Sequence, residues 1–167
     1  FPVCPPLPGG VVAAAEGPFG VYIGCRTESP FGVTLRLIPR KLRVGLGCRR
    51  GTEQAAIEAA VRQVFRENRL ALAAISGVSS IDLKQDEPGL LAACRANGWQ
   101  ARFYSAAQLR AVPGSFTGSR FVASVTGVDN VCERAALYGG GRLLVQKQAL
   151  GGVTVAVAEE PWEVRFG

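Results

Sequence analysis

Three short segments concentrate the residue types that can do chemistry in a chain that contains no histidine. The first is Gly45-Leu46-Gly47-Cys48-Arg49-Arg50-Gly51-Thr52. Its glycines let the backbone turn tightly and approach a ligand closely. A helix opening just beyond it presents free N–H groups and a positive dipole end to an anion. Arg49 and Arg50 add two full charges, and their planar forks suit carboxylates. The spacing is not the dinucleotide pattern GxGxxG, because one extra residue precedes the last glycine. Nor is it a Walker loop, because no Lys-Ser/Thr follows that glycine. The bland alternative is a plain strand-to-helix connector with solvated arginines. Cys48 lies among these groups, where the dipole and the arginines would lower its thiol pKa. With no histidine to act as base, packing explains it better than nucleophilic catalysis.

The second segment, Ser80 to Gly89, holds Asp82, Lys84, Asp86 and Glu87. Acids near a helix start are explained by the dipole alone. The chemical alternative makes Asp82 or Glu87 a general base, with Lys84 as the partner of a substrate carboxylate. Without histidine, a base must come from Asp, Glu, Lys, Tyr or Cys. The third segment runs from Thr126 to Glu133. Asn130 and Glu133 have the spacing of a capping box, which competes with a catalytic role for Glu133. Lys147 ends a strand, and joins a site only if the other loops converge on it; otherwise it is a surface lysine. The candidates are therefore Asp82, Glu87 and Glu133 for catalysis. For ligand binding they are Gly45, Gly47, Cys48, Arg49, Arg50, Gly51, Thr52, Lys84, Thr126 and Lys147. Five scattered cysteines without a CxxC pair offer no metal-ligand cluster, and no cofactor is expected.

The elements that must position these groups can be read from periodicity. Leu42 to Gly47 is a short apolar strand. Thr52 is the expected N-cap of a helix whose Ile57, Val61, Val64 and Phe65 share a face. Leu72 to Ile81 contains a second strand. Pro88 opens a helix with Leu90, Leu91 and Cys94 inward, and Gly98 ends it. Ala101 to Tyr104 is a third strand, and Ser105 with Gln108 caps a short helix that stops before Pro113-Gly114. Ser115 to Gly127 reads as loop with a strand near Phe121 to Ser124. Val131, Ala135 and Tyr138 share the face of a further helix that ends at Gly139-Gly140-Gly141. Leu143 to Lys147 and Val153 to Ala158 flank Gly151-Gly152 as a closing hairpin. Strands alternating with helices argue for an α/β three-layer sandwich with a mixed sheet. Ahead of it, Phe19 to Cys25 and Val33 to Ile38 read as two short strands joined by a turn through Ser29-Pro30-Phe31-Gly32.

The bulk properties exclude some functions. No apolar run is long enough to span a bilayer, and the start has no secretory-signal pattern, so no membrane role is expected. Scattered thiols suit a reducing cytoplasm. The charge of +6 is carried mostly by arginine. It suits an ordinary basic surface or an anionic small molecule. It does not suit nucleic acid, because the basic residues are dispersed with no aromatic-interleaved strand. The absence of methionine, even at position one, reads as a fragment or processed product.

Taken in order, Val44 to Thr52, Ser80 to Gly89, Thr126 to Glu133 and Lys147-Gln148 resemble the C-terminal domain of the CbiG family, which also occurs alone as CobE. The resemblance covers about Lys41 to Glu159. Thr34-Leu35-Arg36-Leu37-Ile38-Pro39 is similar to the end of the CbiG middle region. It implies residues 1–40 as the end of that region or a linker, 41–160 as the C-terminal domain and 161–167 as a tail. The family departs from this chain at Asn130, where serine is more usual; both residues cap helices. The resemblance implies the anaerobic cobalamin pathway and hydrolysis of the ring-A δ-lactone of cobalt-precorrin-5A, with release of acetaldehyde. The substrate would be a flat corrinoid fringed with carboxylates, which the basic loop could grip through several charge-assisted hydrogen bonds of roughly 1.5–3 kcal/mol each. Other readings are a CobE-like module that binds or carries a corrinoid intermediate without chemistry, and a domain that braces the missing N-terminal region or another cobalamin-pathway enzyme.

Overall fold

The computed structural model describes residues 6–116 and 128–165. Strands β1 (Gly17–Ile23) and β2 (Phe31–Leu37) form a separate ribbon. The main unit follows as β3 (Leu42–Cys48), α1 (Gln54–Glu67), β4 (Ile75–Ile81), α2 (Pro88–Asn97), β5 (Ala101–Tyr104), α3 (Ala106–Arg110), α4 (Val131–Leu137), β6 (Arg142–Leu150) and β7 (Val153–Glu159). The five-stranded sheet has the order β5-β4-β3-β7-β6. β3, β4 and β5 run parallel, and β7 lies antiparallel between β3 and β6. This is the mixed-sheet three-layer sandwich expected from the sequence. No helix among the described residues is long and apolar enough to cross a membrane.

The two faces of the sheet are built from different side-chain sizes, and that sets the layers. Leu42, Val44, Leu46, Val153, Val155 and Val157 point to one face, where they meet Ile57, Val61, Val64 and Phe65 of α1 and Leu90 of α2. The alternate positions carry Gly45, Ala156 and Ala158, and α4 lies on them through Cys132 and Ala136. A Cβ on Gly45 would fall 1.8 Å from the Cys132 carbonyl oxygen, so the glycine lets helix backbone rest on strand backbone. Arg43, buried on the same face, donates to the Ala136 and Tyr138 carbonyls at the C-terminal end of α4 and pairs with Glu160 at 2.7 Å. A cation there satisfies carbonyls that the helix leaves unpaired.

Some local expectations need correction. β1 and β2 are present, but they pair in parallel, with Phe19 level with Val33 and Val21 with Leu35. A tight turn cannot connect parallel strands, so residues 24–30 must carry the chain back instead. Thr52 is not the N-cap of α1: Glu53 is, without a side-chain bond, while the Thr52 hydroxyl donates to Arg49 O at 2.7 Å and closes the loop. Leu91 is only half-buried, and Ala93 takes the inward place on α2. The capping box at Ser105 and Gln108 forms in full, and Gly98 ends α2 at φ +64°. Gly151 and Gly152, at φ +57° and +86°, make the two-residue hairpin turn whose twist matches the flanking strands. The expected strand at Phe121 to Ser124 lies outside the described residues, as do Thr126 and Gly127.

Candidate functional site

The first two chemistry-bearing segments and the described part of the third, Val128 to Glu133, meet at one edge of the sheet, outside the carboxyl ends of the parallel strands. Ligands of open α/β sheets characteristically bind at that edge. The first loop leaves β3 at Cys48. Gly45 pairs with Ser79, and continuing that register three residues brings Asp82 level with Cys48. Asp82–Lys84 forms a 3-10 turn at the end of β4, and Pro88 then opens α2. α4 enters from the other face, with Cys132 over Gly45 and Arg43 under its far end, so its N-terminus points to the same edge.

The first two loops are locked together. Glu87, 3% exposed, accepts the Gly51 N–H on Oε1 at 2.6 Å, while Lys84 Nζ lies 3.4 Å from its Oε2. A Cβ on Gly89 would fall 2.0 Å from the Thr52 carbonyl oxygen, so α2 begins hard against the first loop. The N–H that the loop could have offered an outside anion at Gly51 is taken by the protein's own carboxylate. Arg49 and Arg50 remain exposed, and among the described residues neither guanidinium has an ion pair. Arg49 lies across the hairpin turn, where a Cβ on Gly152 would be 3.5 Å from its Cδ. Gly45 sits inside β3 beneath α4, away from the loop's open side. Gly47 is at the strand's end, and a Cβ there would meet Thr154 Oγ1 at 2.5 Å.

Cys48 is half-buried, and that burial pushes its thiol pKa up. Lys84 acts against the rise, Glu87 adds to it, and a hydrogen bond with Thr52 lowers it again without cancelling it. The net direction is upward, opposite to the lowering expected from the loop's position, because desolvation exceeds the opposing effects of Lys84 and Thr52.

Glu133 is 2% exposed, and its use differs from the capping box its spacing suggests. Asn130, at φ +49°, accepts from the Glu133 N–H at 3.2 Å, which is half of the box. The Glu133 side chain turns inward instead and accepts the Lys147 N–H at 2.7 Å. Lys147 sits where the β6–β7 register shifts between Val145 and Gln148. Asp82 is half-buried, and among the described residues its carboxylate has no hydrogen bond or ion pair. Of the three carboxylates singled out, it alone stands uncommitted. Gly89 and Thr154 also shape this edge, yet neither carries chemistry that a sequence pattern would flag; only close packing marks them.

Two clefts open elsewhere. One of about 550 Å³ lies between the ribbon and the opposite sheet edge, lined by Tyr22, Arg26, Arg142, Glu159 and Trp162 among others. The other, of about 360 Å³, lies by α3 and the Gly139–Gly141 turn. Neither includes the three segments.

Comparison with known proteins bears on this geometry. Residues 42–158 match the family model described as cobalamin synthesis G C-terminus. The chain is 35% identical over 127 residues to a cobalt-precorrin-5A hydrolase of Priestia megaterium, covering 75% of this chain and 34% of that protein. It is 36% identical over 121 residues to protein CobE of a Sinorhizobium species, covering 70% and 79% respectively. The crystal structure of CobE, a protein from the cobalamin biosynthetic pathway, superposes with TM-score 0.67 at 32% identity over 74% of this chain and 93% of that one. A cobalamin biosynthesis protein G homolog from Sulfolobus solfataricus gives TM-score 0.60 at 18% identity, a likeness of fold alone, over 96% of this chain and 49% of that one. The chain thus spans about a third of the length of the hydrolase it matches. Since the family model covers well over half of its residues, the chain belongs to the CbiG C-terminal family.

Proposed function

We propose that this chain is the C-terminal region of a hydrolase that opens the ring-A lactone of cobalt-precorrin-5A and releases acetaldehyde in cobalamin biosynthesis. The observation that carries the reading is the convergence of the first two segments and Val128 to Glu133 at the carboxyl edge of the parallel strands, in a chain 35% identical to a protein of that name. A corrinoid presents several carboxylates around a flat ring. Arg49 and Arg50 stand exposed with their guanidinium donors unspent among the described residues, which suits them to grip two of those groups. Lys147 is the cation on the far side of β7, two strand spacings or roughly 10 Å from β3. Lactone opening needs a water and a base to activate it. Asp82, without a partner among the described residues, is the base we assign. Thr52 and Lys84 brace the loops from within. Thr126 belongs to the ligand-facing set only as its place in the third segment suggests.

Incubating the full-length polypeptide with cobalt-precorrin-5A and assaying acetaldehyde tests the reading. Turnover above background, lost in Asp82→Asn and with KM raised in Arg49→Ala/Arg50→Ala, is the expected result. No acetaldehyde from the wild-type protein would sink it. A reducing cytoplasm is the compartment we assign, given that Cys25, Cys48, Cys94 and Cys132 are free thiols.

One observation favours a second reading, a binding module without chemistry. The match to CobE covers 79% of that protein, so a domain of this kind stands as a protein by itself. Corrinoid binding by this chain without turnover, weakened in the double arginine variant, would select that reading. The ribbon belongs to neither account. It turns Phe19, Val21, Val33, Leu35 and Leu37 to solvent on one face, whereas parallel strands are normally covered. We assign residues 1–40 to a preceding region of the longer polypeptide, 41–160 to the domain and 161–167 to a tail. In the full-length protein, Val33→Ser/Leu35→Ser should expose the 1–40 segment to proteolysis; an unchanged cleavage pattern would refute the assignment.

A further inference from the structure

Two of the carboxylates that a sequence reading offers as general bases are held in the same unusual way. Glu87 and Glu133 are 3% and 2% exposed, on different faces of the sheet. A buried carboxylate is costly unless it is hydrogen-bonded. Each meets that need with a backbone N–H from a segment that carries the cations of the site. Glu87 takes the N–H of Gly51, the residue next to Arg50, at 2.6 Å. Glu133 takes the N–H of Lys147 itself, at 2.7 Å. The second contact has a clear geometric origin. The β6–β7 register breaks between Val145 and Gln148, so the ladder passes over Lys147 and Glu133 supplies an acceptor for its N–H. The first has a counterpart in Lys84, which faces the other oxygen of Glu87 at 3.4 Å.

We propose that Glu87 and Glu133 are positioning residues, not bases: each clamps the backbone of a cationic segment, Gly51 beside Arg49 and Arg50 in one case and Lys147 in the other. The cations are thereby set in place before ligand arrives, and less order has to be gained on binding. A general base has to present an oxygen to the attacking water. Glu87 has both oxygens engaged within the protein, and Glu133 is engaged from beneath α4. The ligand half of this inference rests on the proposed corrinoid reading; the clamp half does not.

The test uses the full-length polypeptide in four forms, Glu87→Gln, Glu87→Ala, Glu133→Gln and Glu133→Ala, with two readouts. Glutamine keeps an oxygen that can accept the backbone N–H, whereas alanine does not. Amide hydrogen exchange at Gly51 and Lys147 should accelerate about tenfold or more in the corresponding alanine variant, in line with loss of one charge-assisted hydrogen bond, and much less in the glutamine variant. In the acetaldehyde assay the alanine variants should raise KM about tenfold with a smaller change in kcat. The glutamine variants should hold kcat within about fivefold. A base would behave otherwise: Glu87→Gln or Glu133→Gln would lower kcat about 100-fold or more, and that result overturns the proposal. So does exchange at Gly51 and Lys147 that is unchanged in the alanine variants. Should an alanine variant fail to fold, the glutamine variant still separates clamp from base. If the wild-type protein gives no acetaldehyde, the proposed function fails while the exchange readout still decides the clamp.

Discussion

Gly45→Ala provides a sharp test of how α4 is seated. The added Cβ would lie 1.8 Å from the Cys132 carbonyl oxygen, 2.7 Å from its carbon and 2.9 Å from the Ala136 nitrogen. All three are backbone atoms, so no rotamer change relieves the overlap. The helix must retreat by about 1.5 Å to reach ordinary contact distance. Its underside, with Cys132 and Ala136, fits tightly on Ala156 and Ala158 of β7, all four at most 1% exposed. A gap of even 0.5–1 Å forfeits roughly a quarter to a half of each dispersion contact. The same shift strains the bonds from Arg43 to the end of α4 and from Lys147 to Glu133. We expect a loss of about 3 kcal/mol or more, at the upper end of overpacking costs. For a chain of this length that is a fall in Tm of about 6–12 °C. Urea unfolding should show a lower midpoint at unchanged m. Gly47→Ala is the control, because its Cβ would meet only Thr154 Oγ1, the tip of a side chain. It should cost about 1 kcal/mol and be rescued by Thr154→Ala. If Gly45→Ala melts within about 2 °C of the parent, the seating of α4 is wrong and Gly45 returns to the ligand-facing set.

Three further outcomes follow from individual residues. Ser79 Oγ is buried with no hydrogen-bond partner among the described residues, so Ser79→Ala should stabilise the fold by about 1 kcal/mol; destabilisation in a thermal melt would show that the hydroxyl is partnered. Partial burial alone would raise the Glu160 carboxyl, but hydrogen bonding and charge from Arg43, with Ser76, outweigh it and hold the pKa below the usual glutamate range. Its stabilisation is therefore present above the unfolded value, about 4.3, and is lost as pH falls through the folded one. Glu160→Gln should flatten the loss of stability below about pH 5, and parallel curves for parent and variant would contradict this. Burial pushes the Cys48 thiol pKa up, so it should alkylate with iodoacetamide more slowly at pH 7.5 than a free cysteine. Fast labelling would restore the activated thiol that its loop position first suggests.

The sequence alone determined the layer architecture and, among the described residues, the order of elements. Period-3.6 faces at Ile57, Val61, Val64 and Phe65, the Pro88 start, the Gly98 stop and the Gly151-Gly152 turn are local signals, and each is read within one element. The candidate loops were legible for the same reason, since glycines, arginines and acids gather at strand-to-helix junctions, the edge at which open α/β sheets characteristically bind ligands. What each residue does there was decided only by tertiary contact. Gly45 looks like loop chemistry until α4, nearly ninety residues on, is found lying on it. Glu87 and Glu133 read along the chain as candidate bases, and only the fold brings the Gly51 and Lys147 N–H groups, from other elements, onto their carboxylates. Cys48 looks activated until burial is counted. In each case the deciding term, desolvation or a contact between distant segments, depends on what surrounds the residue in space, and no pattern along the chain carries that.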